Sequence, residues 1–255
     1  MNHPNPSTAL ARTVVDELVR GGLRQVVIAP GSRSAAMALA IADRPEIDIT
    51  VVIDERSAGF WALGMARASS GPVAVLVTSG TAVANLFPAV VEADLARVPL
   101  IVLSANRPPA LRAVGSNQTI DQVGLFGSKV RWAAEIAAPE GGTNAVWRSI
   151  ASRLMAEAVG RTPGPVHLDL GFSEPLVPLS DDGRAISEPF LEKTDGRWNG
   201  ASWTEVRNPP PGVPMMALPD ELDVEAGVVV VGDNRFARSA AMLADYQGWP
   251  LIAEP

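Results

Sequence analysis

The sequence predicts an α/β fold, in which a mostly parallel sheet carries helices on both faces. Three observations support this prediction. Short apolar runs rich in valine and isoleucine recur along the chain, alanine-rich stretches lie between them, and turns of glycine, serine or proline separate the two. Strands that alternate with helices pair in parallel, so both faces of the sheet must be covered.

The chain opens with a predicted helix at 7–20, where apolar residues recur at helical spacing. Ser7 is the predicted N-cap, because its hydroxyl can accept a hydrogen bond from a free amide of the first turn, and Gly21 follows the last turn. The apolar run at 25–29 predicts the first strand. A second helix is expected from Ser34.

Two strand–helix units and a further strand follow. The β-branched run at 49–53 predicts a buried strand, and the alanine-rich stretch at 58–68 predicts the helix after it. The run at 73–77 predicts a strand, 82–93 a helix, and 99–104 another strand. If these strands are parallel, the loops that follow them all open at one edge of the sheet.

A helix at 147–159 and a strand at 165–170 complete the predicted first domain, residues 1–178. Residues 179–226 are proline-rich and lack periodicity, which predicts an extended linker. We expect this linker to wrap a surface, because its two tryptophans need burial.

Residues 227–255 are predicted to begin a second, central α/β domain. The pattern is a strand at 227–232, a helix at 237–246 and a strand at 250–253. A single unit of this kind cannot bury the faces of its own sheet. We therefore expect a truncated domain, or one completed by another chain.

Composition excludes several classes of function. The formal charge of −7 argues against a nucleic-acid partner, which would require a basic face. The sequence has no cysteine, and its two histidines, His3 and His167, are far apart, so thiolate sites, a histidine zinc site and a Ser-His-Asp hydrolase are not expected. The first residues lack a signal-peptide pattern and no apolar stretch reaches a membrane span, which predicts a cytoplasmic protein.

Two of the loops at the predicted sheet edge carry charged residues. Loop 30–34 places Ser32 and Arg33 at a helix start, where free amides and the arginine fork favour an anion. The next loop carries Glu55, a carboxylate that can exchange a proton with a bound heterocycle. Taken alone, an ordinary turn explains the first loop equally well, and a solvated or helix-capping acid explains Glu55 better.

The other two loops are rich in small residues and amides. Small residues at 78–85 can let a ligand lie on the backbone, or can serve helix–sheet packing. The long loop 104–118 carries Arg107 and Arg112, and a solvated surface loop is the alternative. Together the four loops suit a small ligand with several carboxylates and a ring.

Several motifs occur in one order along the first part of the chain. They are Pro30-Gly31-Ser32-Arg33-Ser34, Asp54-Glu55-Arg56, Thr78-Ser79-Gly80-Thr81-Ala82-Val83-Ala84-Asn85, Ser104-Ala105-Asn106-Arg107-Pro108 and Ser116-Asn117-Gln118. Over residues 8 to about 178 the chain resembles the N-terminal part of the family of 2-succinyl-5-enolpyruvyl-6-hydroxy-3-cyclohexene-1-carboxylate synthases. The resemblance implies a transferase of menaquinone biosynthesis that depends on thiamine diphosphate, decarboxylates 2-oxoglutarate and adds the succinyl unit to isochorismate. It also implies that the first domain is the pyrimidine-binding domain of thiamine-diphosphate enzymes.

The resemblance further implies roles for individual residues. Glu55 matches the carboxylate that hydrogen-bonds a ring nitrogen of the aminopyrimidine and places a proton, so it is the implied catalytic residue. The residues implied to bind the cofactor are Glu55, Thr78, Ser79, Gly80 and Asn85. The residues implied to hold substrate carboxylates and hydroxyls are Ser32, Arg33, Arg107, Asn117 and Gln118.

The family binds the cofactor diphosphate through Mg²⁺ in a C-terminal domain, and its active site forms between two subunits, which implies at least a homodimer. This chain ends before such a domain could begin, so no metal ligand is expected in it. The run Gly232-Asp233-Asn234 lacks the second glycine of the metal motif and is interpreted as a chance match. We expect a fragment of the synthase or half of a split enzyme, inactive alone.

Two alternatives stay open at this point. One is another thiamine-diphosphate 2-oxoacid enzyme, such as an acetolactate-synthase-like protein, which would keep Glu55 but need not keep both Arg33 and Arg107. The other is a truncated module that binds or dimerises without catalysis. A nucleotide-binding protein is disfavoured, because neither a Walker-type loop nor a Gly-x-Gly-x-x-Gly loop follows a predicted strand.

Overall fold

The structure is a computed structural model, and it describes residues 5–137, 146–177, 194–205, 225–232 and 237–253. The chain divides into two units, Met1–Asn208 and Pro209–Pro255. The predicted domain limits at residues 178 and 226 stay predictions, because most of the chain between them lies outside the described residues.

A six-stranded parallel sheet forms the centre of the first unit, in the order β2-β1-β3-β4-β6-β5. The strands are β1 (Gln25–Ile28), β2 (Asp48–Val51), β3 (Val73–Val77), β4 (Leu100–Asn106), β5 (Trp132–Ala137) and β6 (Val166–Gly171). Strand β5 was not predicted, because three of its six residues are alanine, which is depleted in strands.

Helices cover both faces of this sheet. They are α1 (Pro6–Arg20), α2 (Ala35–Ala42), α3 (Glu55–Ser69), α4 (Thr81–Ala84), α5 (Phe87–Leu95) and α6 (Trp147–Ala158). Helices α1, α2 and α6 contribute to one buried apolar cluster, and α3, α4 and α5 contribute to another on the opposite face. The predicted α/β class, a parallel sheet with helices on both faces, is confirmed.

The central strands are apolar throughout because both of their faces are buried. In β3, Val75 packs into the cluster with α3 and α5, while the next residue, Leu76, packs into the cluster with α1. This alternation follows from the two-residue period of a strand. Burying each side chain of this size stabilises the fold by about 1.5–3 kcal/mol, so a polar residue inside such a strand needs a separate explanation.

Two predicted helix ends are wrong in detail. Asn5, not Ser7, caps α1, since Asn5 Oδ1 accepts a hydrogen bond from the Thr8 amide at 2.8 Å, while the Ser7 hydroxyl donates to the Ser173 carbonyl oxygen. The predicted helix at 82–93 is two helices, α4 and α5. Pro88 lies in the first turn of α5, where its missing N–H and fixed φ are tolerated, so a new helix begins there instead of the old one continuing.

Strand β2 is exposed, which contradicts the predicted buried strand. It lies at the edge of the sheet beside β1, and 62% of Val51 and 86% of Ile53 is exposed. A β-branched run indicates a strand but does not tell an edge position from a central one. The consequence is an apolar rim beside the start of α3.

The segment at 194–205 lies against α1 and α6, as the wrapping linker predicts, but not through its tryptophans. Trp198 is 97% exposed and Trp203 is 41% exposed. Backbone groups make the contacts: the Thr194 carbonyl accepts from the guanidinium of Arg148 at 2.9 Å, and the Trp203 amide donates to the carboxylate of Glu17. Buried charges on the helices therefore hold this part of the chain.

The second unit contains β7 (Val229–Val231), α7 (Ala237–Gln247) and β8 (Leu251–Ala253), with the two strands parallel. These elements match the predicted strand, helix and strand. Asp233 and Asn234, of the run interpreted as a chance match, lie outside the described residues. In the described part of the chain, no helix is both long and apolar enough to cross a membrane.

Candidate functional site

The loops that carry the predicted site residues form a row along one edge of the sheet. All six strands are parallel, so their carboxyl ends lie at the same edge. The strand order places Glu55 after β2, then Arg33 after β1, Ser79 after β3 and Arg107 after β4. With about 4.8 Å between neighbouring strands, the first and last of these loops are about 14 Å apart at their roots.

Two glycines bring neighbouring loops into backbone contact. A Cβ built on Gly31 would lie 2.3 Å from Thr78 Cβ, and a Cβ on Gly80 would lie 2.9 Å from the carbonyl oxygen of Gln118. Gly31 was predicted to let the backbone approach a ligand, whereas here its close neighbour is Thr78. Gly80 also has φ +82, a conformation that glycine adopts without strain.

Arg107 forms a cluster with three other predicted residues. Its guanidinium donates to Ser79 Oγ at 2.9 Å and to Asn117 Oδ1 at 2.8 Å. The Ser79 hydroxyl donates in turn to the Gln118 carbonyl oxygen, and the Gln118 amide donates to the Ser79 carbonyl oxygen. Only 8% of Arg107 is exposed, while Asn117 and Gln118 are exposed, so the buried guanidinium organises a polar rim.

Arg33 extends from the loop after β1 to the chain after β6. It donates to the Phe172 carbonyl oxygen at 3.0 Å and lies 3.4 Å from the carboxylate of Glu174. Burial and the positive charge of Arg107 lower the pKa of Arg33, while Glu174 opposes this shift. Arg33 and Arg107 thus flank the loop at 78–80 at one edge of the sheet, and two guanidinium groups at this edge favour an anion with more than one carboxylate. Ser32, the residue before Arg33, is exposed at this edge.

Glu55 is the first residue of α3 and is half-buried. The helix is capped by Asp54, whose Oδ1 accepts from the Ser57 amide at 2.8 Å, and this hydrogen bond lowers the pKa of Asp54. Of the two alternative explanations for Glu55, the helix cap is therefore wrong, and the solvated acid stays open. Within the described residues the Glu55 carboxylate makes no hydrogen bond or ion pair, so it is available to a ligand.

Asn85 does not join the other predicted residues. It is exposed at the end of α4, and among the described residues no contact of its side chain places it in the cluster around Arg107.

The long loop after β4 lines a cavity of about 330 Å³. Arg112 lines this cavity, is paired with Glu135 and donates to the Arg107 carbonyl oxygen at 2.8 Å.

A buried polar network below these loops was missed in the sequence. Asp169 on β6 is 1% exposed and accepts three hydrogen bonds: from Ser104 at 2.7 Å, from Asn106 at 2.6 Å and from Gln122 at 2.5 Å. Ser104 and Asp169 are direct neighbours in the register of β4 and β6. The signal was present, because a strand reading Val-His-Leu-Asp-Leu repeats polar residues at the strand period within a buried run.

His167 belongs to the same network but is no catalytic base. Its Nε2 lies 2.7 Å from Ser104 Oγ, and burial lowers the pKa of His167 to about 4 against the opposing effect of Asp169. Ser104 has one proton, which it donates to Asp169, so we assign His167 Nε2 as the donor to Ser104. In a hydrolytic triad the carboxylate orients the histidine instead, and the serine faces a substrate.

No group of three or more histidine, aspartate or glutamate side chains that could hold a metal ion occurs among the residues that the structure describes. The polar groups at the sheet edge are instead one free carboxylate, two arginines and several amides. Such a set can bind carboxylates and a hydrogen-bonding ring, and it can place a proton on that ring.

Comparison with known proteins agrees with this chemistry. Residues 8–125 match the family described as thiamine pyrophosphate enzyme, N-terminal TPP binding domain. Proteins named 2-succinyl-5-enolpyruvyl-6-hydroxy-3-cyclohexene-1-carboxylate synthase are similar over 98% of this chain: 52% identical in Thermobifida fusca, 48% in Saccharopolyspora erythraea and 46% in Rhodococcus erythropolis. The chain spans less than half of their length, 44%, 44% and 45%. Residues 8–125 are thus similar to the N-terminal domain of thiamine pyrophosphate enzymes, and nearly the whole chain is similar to part of proteins named 2-succinyl-5-enolpyruvyl-6-hydroxy-3-cyclohexene-1-carboxylate synthase.

Proposed function

We propose that this chain is the N-terminal part of an enzyme that decarboxylates 2-oxoglutarate and adds the succinyl unit to isochorismate in menaquinone biosynthesis. The observation that carries the proposal is the pair of guanidinium groups at the sheet edge. Arg33 and Arg107 come from the loops on either side of the loop at 78–80, at the same edge of the sheet, and both are largely withdrawn from solvent. Both substrates carry carboxylates, and arginine binds a carboxylate through two parallel hydrogen bonds.

The pyrimidine half of thiamine diphosphate fits the residues present. Thr78, Ser79 and Gly80 are small and buried, and Gln122 fixes the Gly80 amide. The Glu55 carboxylate is free to bond a ring nitrogen. The described residues offer no ligand set for Mg²⁺, so we propose that the metal and the diphosphate bind elsewhere in the full-length protein.

When bound, thiamine diphosphate supplies the electron sink for decarboxylation and carbon–carbon bond formation. The residues of this chain position the substrates and place a proton on the ring of the cofactor. Glu55 holds a proton at a carboxyl oxygen and shares it with the ring nitrogen, which is the role of a positioned general acid or base. Arg33 and Arg107 orient substrate carboxylates, and Ser32, Asn117 and Gln118 provide hydrogen-bonding groups at the exposed rim.

We further propose that a second copy of the protein covers the region around Glu55, giving at least a homodimer in the cytoplasm. Four large apolar residues near the start of α3 are exposed: Val51, Ile53, Phe60 and Trp61. A rim of this kind is costly in water and is typical of an interface. Sedimentation of the full-length protein tests this proposal, and a monomer at micromolar concentration would contradict it.

The activity is tested with the full-length protein, thiamine diphosphate and Mg²⁺. Consumption of isochorismate should depend on 2-oxoglutarate, and pyruvate should not replace it. Efficient use of pyruvate as both donor and acceptor would point to an acetolactate-synthase-like enzyme and would contradict the proposal. Calorimetry with thiamine diphosphate and Mg²⁺ on this chain alone tests where the metal binds. Tight, magnesium-dependent binding would show that the chain carries its own metal site.

A further inference from the structure

The buried Asp169 lies at the centre of two hydrogen-bond paths, and each path ends on a backbone amide of the site. One path runs through Gln122, whose Nε2 donates to Asp169 and whose Oε1 accepts from the Gly80 amide at 3.1 Å. The other runs through Asn106, whose Nδ2 donates to Asp169 and whose Oδ1 accepts from the Arg107 amide at 2.7 Å. A single carboxylate is thus linked to both loops.

The direction of each path follows from the chemistry of the carboxylate. A carboxylate only accepts hydrogen bonds, so each amide side chain must turn its NH₂ group toward Asp169. The carbonyl oxygen of each amide then points the other way, toward the backbone N–H of Gly80 or Arg107. An amide in the reverse orientation would set NH₂ against N–H and leave two buried donors unpaired.

We propose that Asp169 is a positioning residue that sets the cofactor loop at Gly80 and the substrate arginine Arg107 in register through Gln122 and Asn106. The assignment of these two loops to cofactor and substrate rests on the function proposed above. Asp169 itself is almost completely buried, so we place its effect on the two loops and not on a ligand. Its effect is to hold two loops from neighbouring strands, β3 and β4, in one fixed arrangement.

Three variants separate this role from ordinary stability. Asp169→Leu keeps approximately the shape but has no oxygen to accept from either amide side chain, so it disturbs both paths. Gln122→Met removes only the path to Gly80. Ser104→Ala is the matched control, because it removes a buried hydrogen bond to the same carboxylate but leaves both paths intact.

Hydrogen exchange of individual backbone amides, measured by NMR on this chain, reads the paths directly. Rates at Gly80 and Arg107 are compared with that of Val75, a core amide of β3, to remove any global loss of stability. Relative to Val75, Asp169→Leu should speed exchange at both amides by about tenfold or more, and Gln122→Met should do so at Gly80 only. Ser104→Ala should leave both ratios within about threefold.

Steady-state kinetics of the full-length enzyme gives the functional test. Asp169→Leu should raise both the thiamine diphosphate concentration for half-maximal rate and the substrate KM, Gln122→Met should raise only the former, and Ser104→Ala should raise neither. If Asp169→Leu fails to fold, Gln122→Met still decides: unchanged exchange at Gly80 and unchanged cofactor use would overturn the proposal. An Asp169→Leu variant that behaves like Ser104→Ala would also overturn it. An inactive wild type would instead refute the proposed function, and the exchange ratios would still test whether Asp169 holds the Gly80 and Arg107 amides in place.

Discussion

Substituting Gly80 by alanine should destabilise the first unit, because it combines backbone strain, a steric clash and a lost hydrogen bond. Gly80 has φ +82 and ψ −142, a region that is nearly exclusive to glycine and costs other residues about 1–3 kcal/mol. The added Cβ would also lie 2.9 Å from the Gln118 carbonyl oxygen and 3.1 Å from the carbonyl carbon, so a backbone segment must move. Losing the bond from the Gly80 amide to Gln122 adds about 1 kcal/mol.

The sum is a loss of about 2–4 kcal/mol in the free energy of unfolding, or about 5–15 °C in Tm for a chain of this size. Two matched variants separate the causes, and urea unfolding followed by circular dichroism measures all three. Gly115→Ala has φ +79 but open space around the new methyl group, so it should cost about 1 kcal/mol. Gly64→Ala lies in α3 with open space and should be neutral or stabilising by up to about 1 kcal/mol. Equal stability of the Gly80 and Gly64 variants would refute the reasoning.

The remaining predictions concern charged and titrating groups. Glu55→Gln in the full-length enzyme should lower kcat about 10²-fold or more, because the proton role is lost, and wild-type turnover would rule that role out. Arg33→Lys should raise the substrate KM and spare cofactor affinity, and an equal loss of both would count against its assignment. Arg148→Met should cost about 3–5 kcal/mol of stability and expose residues 194–205 to limited proteolysis, since it removes the cation that pairs with the buried carboxylate of Glu17 and holds the Thr194 carbonyl; the exposed Arg153→Met is the control and should cost less than about 1 kcal/mol. His167 has a folded-state pKa of about 4, below its ordinary value of 6.5, so the unfolded chain takes up a proton first and stability should fall by up to about 3 kcal/mol as pH drops from 6.5 to 4. A His167→Gln variant with the same pH profile would show that another group is responsible.

The sequence was sufficient for the fold class because buried parallel strands and amphipathic helices leave different periods in the chain. It was insufficient where the tertiary environment decides. The β-branched run ending at Ile53 signals a strand whether or not a second strand covers it, so its exposed edge position could not be read from the run itself. Similarly, Asn5 and Ser7 are both good capping residues, and only the hydrogen bond of Ser7 to Ser173 shows why Asn5 takes the role.

The candidate site was predicted as a set of residues but not as a set of contacts. The parallel sheet explains why Ser79, Arg107 and Asn117 meet, since loops after neighbouring strands must share an edge. Asp169 was overlooked because it sits inside an apolar strand and not in a loop. Its partner Gln122 lies 47 residues away in the chain, and no local pattern connects the two.

The unpaired side of β2 has a practical consequence for anyone who produces this chain by itself. Within the described residues no strand pairs with that side, which leaves backbone N–H and C=O groups open next to the exposed side chains of Val51 and Ile53. Another extended segment can add to such a margin, which is a common origin of insoluble material during overexpression. Low protein concentration, or co-production of the rest of the proposed full-length enzyme, should therefore reduce aggregation of this chain.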